Sequence, residues 1–159
     1  MSATNSLVGT TSGDFASSIV TALKNGNYVV SCPNWRSPAN VTAGAVIFGN
    51  GASGINGPVT VTNSLYGDPG LRPVGDGYVA PLANGHYGVV SQQKGIATFG
   101  NGTTGITGNV TTSNSFMTTG GGGIDFDVYP LANSNYVVCD PTADIAAIQN
   151  SGSVTLGNG

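Results

Sequence analysis

The chain holds a single histidine, His86, in the stretch LANGHYGV (82–89). A serine or cysteine nucleophile would need that ring as its general base, with a carboxylate to orient it. No such partner is marked, and no Gly-x-Ser-x-Gly elbow frames a serine. Two sister segments, LKNGNYVV (23–30) and LANSNYVV (131–138), place Asn27 and Asn135 where His86 stands. The histidine therefore reads as a turn substituent and the protein as a non-enzyme. The Gly120–Gly123 run lacks the Lys-Ser/Thr pair that completes a phosphate-binding loop. It is expected instead to supply a turn.

The acids offer little more. There are seven Asp and no Glu, and four of them are Asp125, Asp127, Asp140 and Asp144. In IDFDVY, strand alternation puts Asp125 and Asp127 on one face. Adjacent carboxylates repel unless a cation, a donor or water intervenes, so this pair is the one weak metal candidate. Solvated acids guarding a sheet edge suit it better. No cofactor is implied. Cys32 and Cys139 have no metal-ligand spacing and can pair only if the fold brings them together; two buried thiols are expected. The lone tryptophan, Trp35, sits in PNWRSP between Asn34 and Arg36. If exposed, its flat apolar face with hydrogen-bonding neighbours would suit a sugar or a protein surface. Otherwise it covers a sheet edge.

Composition narrows the partners. Charged residues are 7% of 159, with only four Lys and Arg, against about 25% in ordinary soluble domains. Four scattered cations form no basic stripe, so no nucleic acid is expected. No apolar run nears the roughly 20 residues that span a bilayer, so membrane insertion is not expected. The N-terminus has no signal-peptide pattern. A protein working outside the cell would then carry its address elsewhere in a longer precursor.

The elements that must position these residues are strands. Gly accounts for 26 residues, and Thr, Val and Asn are abundant, which favours β structure. Only DIAAIQN (144–150) could form a helical turn. Three landmarks recur in order: the Asn-turn segments above, FGNG at 48–51 and 99–102 with LGNG at 156–159, and GPVTVTNS (57–64) with GNVTTSNS (108–115). The reading is a single β-repeat domain over 1–159, with units near 10–67, 68–118 and 119–159 plus 1–9. In the first unit strands are expected over Ser18–Leu23, Tyr28–Cys32, Ala45–Phe48 and Val59–Leu65, with an Asn25-Gly26 hairpin turn. The runs YVV and AVIF are continuously apolar, as in strands buried on both faces. Because TNSLVG at the start matches TNSLYG (62–67), the N-terminal strand is expected to complete the third unit.

The stretch from Leu7 to Gly51 resembles the FG-GAP repeat of integrin-α-type propellers. Gly13-Asp14-Phe15, YVVSCP and GAVIFG (44–49) carry the likeness. It is still more similar to the NGNYVV-type repeats of large bacterial haemagglutinin-like surface proteins. The resemblance implies four-stranded, propeller-like blades; a β-trefoil or β-prism is the alternative. Calcium-binding blades use an Asp-rich turn, whereas Asn25, Asn84 and Asn133 stand here without a carboxylate, so Asx-type turns are expected instead. The implied role is a non-enzymatic, extracellular adhesin-type domain that is structural or binds a glycan or surface protein. A lectin with threefold pseudo-symmetry is the alternative. Three blades are few for a ring, so a homodimer could complete six.

Overall fold

The computed structural model describes residues 2–39, 41–67, 73–118 and 125–159. The Gly120–Gly123 run and the expected unit boundaries at 68 and 119 lie outside these. The described chain is all-β. It runs β1 (Leu7–Val8), β2 (Ile19–Ala22), β3 (Tyr28–Cys32), β4 (Ala45–Gly49), β5 (Gly57–Pro58) and β6 (Leu65–Tyr66). The second unit holds β7 (Tyr78–Pro81), β8 (Tyr87–Ser91), β9 (Ile96–Gly100), β10 (Gly108–Asn109) and β11 (Ser115–Met117). The third holds β12 (Asp127–Pro130), β13 (Tyr136–Asp140) and β14 (Ser153–Gly157). A short 3-10 turn over Gln92–Lys94 is the only helical element described, and no described helix is long and apolar enough to cross a membrane. The DIAAIQN segment is a tight turn closed by an Ile145–Ile148 bridge.

Each unit is an antiparallel meander. The orders are β2-β3-β4-β6, β7-β8-β9-β11 and β12-β13-β14. The hairpin turns form at Asn25-Gly26, Asn84-Gly85 and Asn133-Ser134, and each is an Asx turn. The Asn25, Asn84 and Asn133 side chains accept the amides of Asn27, His86 and Asn135 at 3.2, 3.0 and 3.1 Å. The FGNG landmark has a steric cause. Tyr28, Tyr87 and Tyr136 pair across the sheet with Gly49, Gly100 and Gly157, whose missing side chains leave room for the rings. The glycine two residues on, Gly51, Gly102 or Gly159, abuts the backbone of the hairpin turn, where any Cβ would overlap a carbonyl.

The expected strand Val59–Leu65 is instead a reversal between two short strands, β5 and β6. Asn63 accepts the Thr60 amide at 2.8 Å and donates to the Pro58 carbonyl at 2.9 Å. Asn114 repeats this with Thr111 and Asn109 at 2.8 and 2.9 Å. The first half of the broken strand then pairs with the preceding unit. β6 lies parallel to β10, Leu65 opposite Gly108 and Tyr66 opposite Asn109.

The N-terminal strand obeys the same rule, and this corrects the expected closure of the third unit. β1 lies parallel to β5, Leu7 opposite Gly57 and Val8 opposite Pro58. Residues 2–9 therefore belong beside the first unit, in the place that β6 holds beside the second. The cause is local: the Ser6 and Val8 carbonyls accept the Gly57 and Val59 amides at 3.1 and 3.0 Å, as Ser64 and Tyr66 accept those of Gly108 and Val110 at 2.9 Å each.

The sheets pack face to face in chain order. Leu23, Val29, Val46 and Leu65 meet Val79, Tyr87, Val89 and Val110 between the first and second sheets. Ala80, Leu82, Val90 and Ala97 meet Phe126, Val128, Tyr136 and Val138 between the second and third. Internal strands are therefore buried on both faces, β8 along its whole length. A third cluster, including Val30, Cys32, Trp35, Ile47 and Val59, lies on the other face of the first sheet under Leu7 and Phe15.

Candidate functional site

The loop after β3 begins Pro33-Asn34-Trp35-Arg36. Its course is set by backbone bonds from Ala43 and Gly44 to the Trp35 carbonyl, both 3.1 Å, and by the antiparallel Arg36–Thr42 bridge. These turn the indole inward. Trp35 is 1% exposed, so of the two readings of this residue the open aromatic platform falls away and the covering role remains. The ring meets Tyr66 edge-on at 6.3 Å between centroids. A loop tryptophan can be drawn inward because its large apolar area outweighs the cost of ordering the loop around it. Its Nε1 is buried without a hydrogen-bond partner. Asn34 and Arg36 remain exposed. Asn34 is committed to the fold, donating to the Ala16 carbonyl at 2.7 Å.

Beside the indole lies a groove of about 480 Å³, walled by Thr10, Thr11, Arg36, Pro38, Val59 and Val61. Asp14 ties three of these residues, Thr10, Thr11 and Arg36, together. One carboxylate oxygen accepts the Thr10 and Thr11 amides at 2.7 and 2.8 Å; the other accepts the Arg36 amide at 3.2 Å and the Thr11 hydroxyl. Burial by itself raises the Asp14 pKa, but the Thr11 hydroxyl and the Thr11, Thr10 and Arg36 amides outweigh it, and the net shift is downward. Asp14 is thus an ionised clasp between the N-terminal segment and the tryptophan loop. Sequence reasoning saw it only as part of a motif; its signal is the Thr-Thr-x-x-Asp spacing, which aims two successive amides at one carboxylate.

The remaining candidates are held by structural bonds. His86 accepts the Gly102 amide through Nδ1 at 2.9 Å, as Asn27 accepts that of Gly51 at 2.9 Å. Asp125 lies in a turn before β12, not beside Asp127 on a strand. Asp127 accepts the hydroxyl of Tyr78 and the Val128 amide, the latter at 3.0 Å. Burial first, and then this carboxylate, pushes the Tyr78 hydroxyl far above its ordinary range. Among the described residues no three metal-ligating groups gather. Cys32 is buried and Cys139 half-buried, and neither is bonded. Burial raises the Cys32 thiol, with the Asp14 charge adding to it, so it is a poor nucleophile.

The internal repeat has a counterpart in a known family. A repeat of unknown function, DUF5650, matches residues 1–18, 22–75, 81–122 and 130–159. The chain belongs to the DUF5650 repeat family. The first matched stretch, 1–18, includes β1 and ends before β2 begins. No curated protein and no solved structure is significantly similar to this DUF5650 chain.

Proposed function

We propose that this DUF5650 chain is a non-enzymatic, adhesin-type repeat domain of a bacterial surface protein, working outside the cell in a structural role. The observation that carries the reading is the strand handover, in which β1 joins β5 and β6 joins β10 in one register. A chain whose units are stitched to their neighbours suits a scaffold. Its one histidine serves a backbone amide and its buried thiol is held protonated. Four dispersed cations argue against a nucleic-acid partner.

The antiparallel meanders packed face to face are the unit from which propeller rings are made, and such rings hold about four to eight blades. Two copies would provide six. Protease shaving of intact bacteria tests the surface assignment: peptides of this chain are expected in the released fraction. Recovery from the cytosolic fraction alone overturns it.

A second reading, carbohydrate binding, is favoured by the groove that Trp35 and Arg36 both line. A glycan array tests it, with Trp35→Phe and Arg36→Ala as controls. Binding lost in both variants supports the lectin, and silence across the array refutes it.

A further inference from the structure

The third sheet ends where the other two do not. β4 and β9 are each flanked on their far side, by β6 and β11. Their counterpart β14 has β13 on one side and no strand on the other among the described residues. Cross-strand registers make the units superimposable: Tyr28–Gly49, Tyr87–Gly100 and Tyr136–Gly157 are equivalent pairs. Val154 therefore stands where Val46 and Ala97 stand. Those two are 1% and 3% exposed, and Val154 is 74% exposed. Leu156, in the place of Phe48 and Phe99, is 60% exposed. Sheet edges are normally guarded by charge or proline, yet β14 reads Ser-Val-Thr-Leu-Gly and carries neither.

The opposite end of the molecule shows the complementary lack. β6 has two partners, β4 antiparallel and β10 parallel. Among the described residues β1 has the parallel one alone. Because Ser6 and Val8 spend their carbonyls on β5, alternation turns the Leu7 amide and carbonyl to the other side. On the first sheet Val20 is 66% exposed, although its equivalents Val79 and Val128, sealed by a preceding sheet, are 7% and 3%. One end thus lacks a strand of the Asn-Ser-Leu type, and the other end carries such a strand with one side vacant.

We propose that β1 of a second copy fills the vacant edge of β14, joining copies head to tail. The β4–β6 register, Val46 opposite Leu65 and Ala45 opposite Tyr66, sets the new one: Val154 opposite Leu7 and Ser153 opposite Val8 of the second copy. The outer face of the third sheet, with Tyr129, Val137, Val154 and Leu156, packs against Val20 and Tyr28 of that copy. The inference rests on the scaffold reading but uses only the strand geometry. It takes the strand expected to close the third unit and delivers it from another chain. Self-association of this kind is heterologous, each copy using two different surfaces.

Two proline variants test it. Leu7→Pro removes the outward amide of β1, and Val154→Pro removes that of β14, positions where an edge tolerates proline. By sedimentation velocity over a wide concentration range, the parent chain is expected to associate and each variant alone to remain monomeric. Mixing the two variants restores one junction and doubles the sedimenting mass without further growth. Since a variant could fail to fold, cross-linking gives an independent measure. A Val8→Cys chain mixed with a Ser153→Cys chain and mildly oxidised is expected to yield a covalent dimer, with peptide mapping locating the bond at positions 8 and 153. A parent chain monomeric at every concentration, association of either proline variant alone, or a cross-link elsewhere overturns the junction. None of these results bears on surface exposure in the cell, which the shaving experiment reads separately.

Discussion

Leu65 and Leu7 are the same residue in the same repeat position, and they should not cost the same to truncate. Leu65 is 0% exposed, in the cluster where β4 supplies Val46 and the second unit supplies Val89 and Val110. Leu65→Ala leaves a cavity closed on every side, for which about 3–4 kcal/mol is expected. Leu7 is half-buried against the first unit, with its other flank open. It gains roughly half the transfer energy of a buried leucine and leaves no enclosed void, so Leu7→Ala should cost about 1–1.5 kcal/mol. The difference, about 2 kcal/mol, is about a 30-fold change in the folding constant. Urea denaturation, followed by the fluorescence of the single, buried Trp35 and kept dilute so that chains stay apart, measures both. Equal losses would mean that Leu7 is as enclosed as Leu65, and would refute the assignment of one vacant side to β1. At concentrations where copies associate, Leu7→Ala should instead lower the tendency to associate.

Three further outcomes follow from the turns and the clasp. His86→Asn should leave stability within about 0.5 kcal/mol, because Asn27 does the same work in the first unit; His86→Ala should lose about 1 kcal/mol as the Gly102 amide loses its acceptor. Thermal melts of the two variants compare them. Gly102→Ala should destabilise by more than about 3 kcal/mol, since the new methyl meets the Gly85 carbonyl and not a movable side chain; a melting temperature close to the parent's would contradict that packing. Asp14 has a folded pKa below its ordinary value of 3.8, so its contribution is present above that value and fades as the pH falls through the lower folded one. Urea midpoints measured from neutral pH into acid should fall for the parent, and fall less steeply for Asp14→Asn.

The parts of this fold that were legible in the sequence are those written in short spacings. The Asn25-Gly26 hairpin, β3 at Tyr28–Cys32 and the threefold order of landmarks all follow from a few neighbouring residues. The break between Pro58 and Leu65 was hidden because Val59, Val61 and Leu65 alternate like a strand, while the decisive bonds come from the side chain of Asn63. The kind of strand at the N-terminus was readable, but its sheet was not: that choice depends on amides some fifty residues away, at Gly57 and Val59. Trp35 was left undecided for a related reason. A tryptophan among Pro, Asn and Arg carries no periodicity, so nothing local says which way the loop turns it.

The handover of strands has a thermodynamic meaning as well. Each unit shares hydrogen bonds and a core with its neighbour in the chain, and contacts between the first and third sheets contribute little beside these. The domain is then a short one-dimensional chain of coupled elements, whose stability is a sum of intrinsic and nearest-neighbour terms. The second unit borders two interfaces, the first and third one each. Opening should therefore travel inward from the ends, with amide exchange slowest along β8, and a docked second copy would turn an end into a middle.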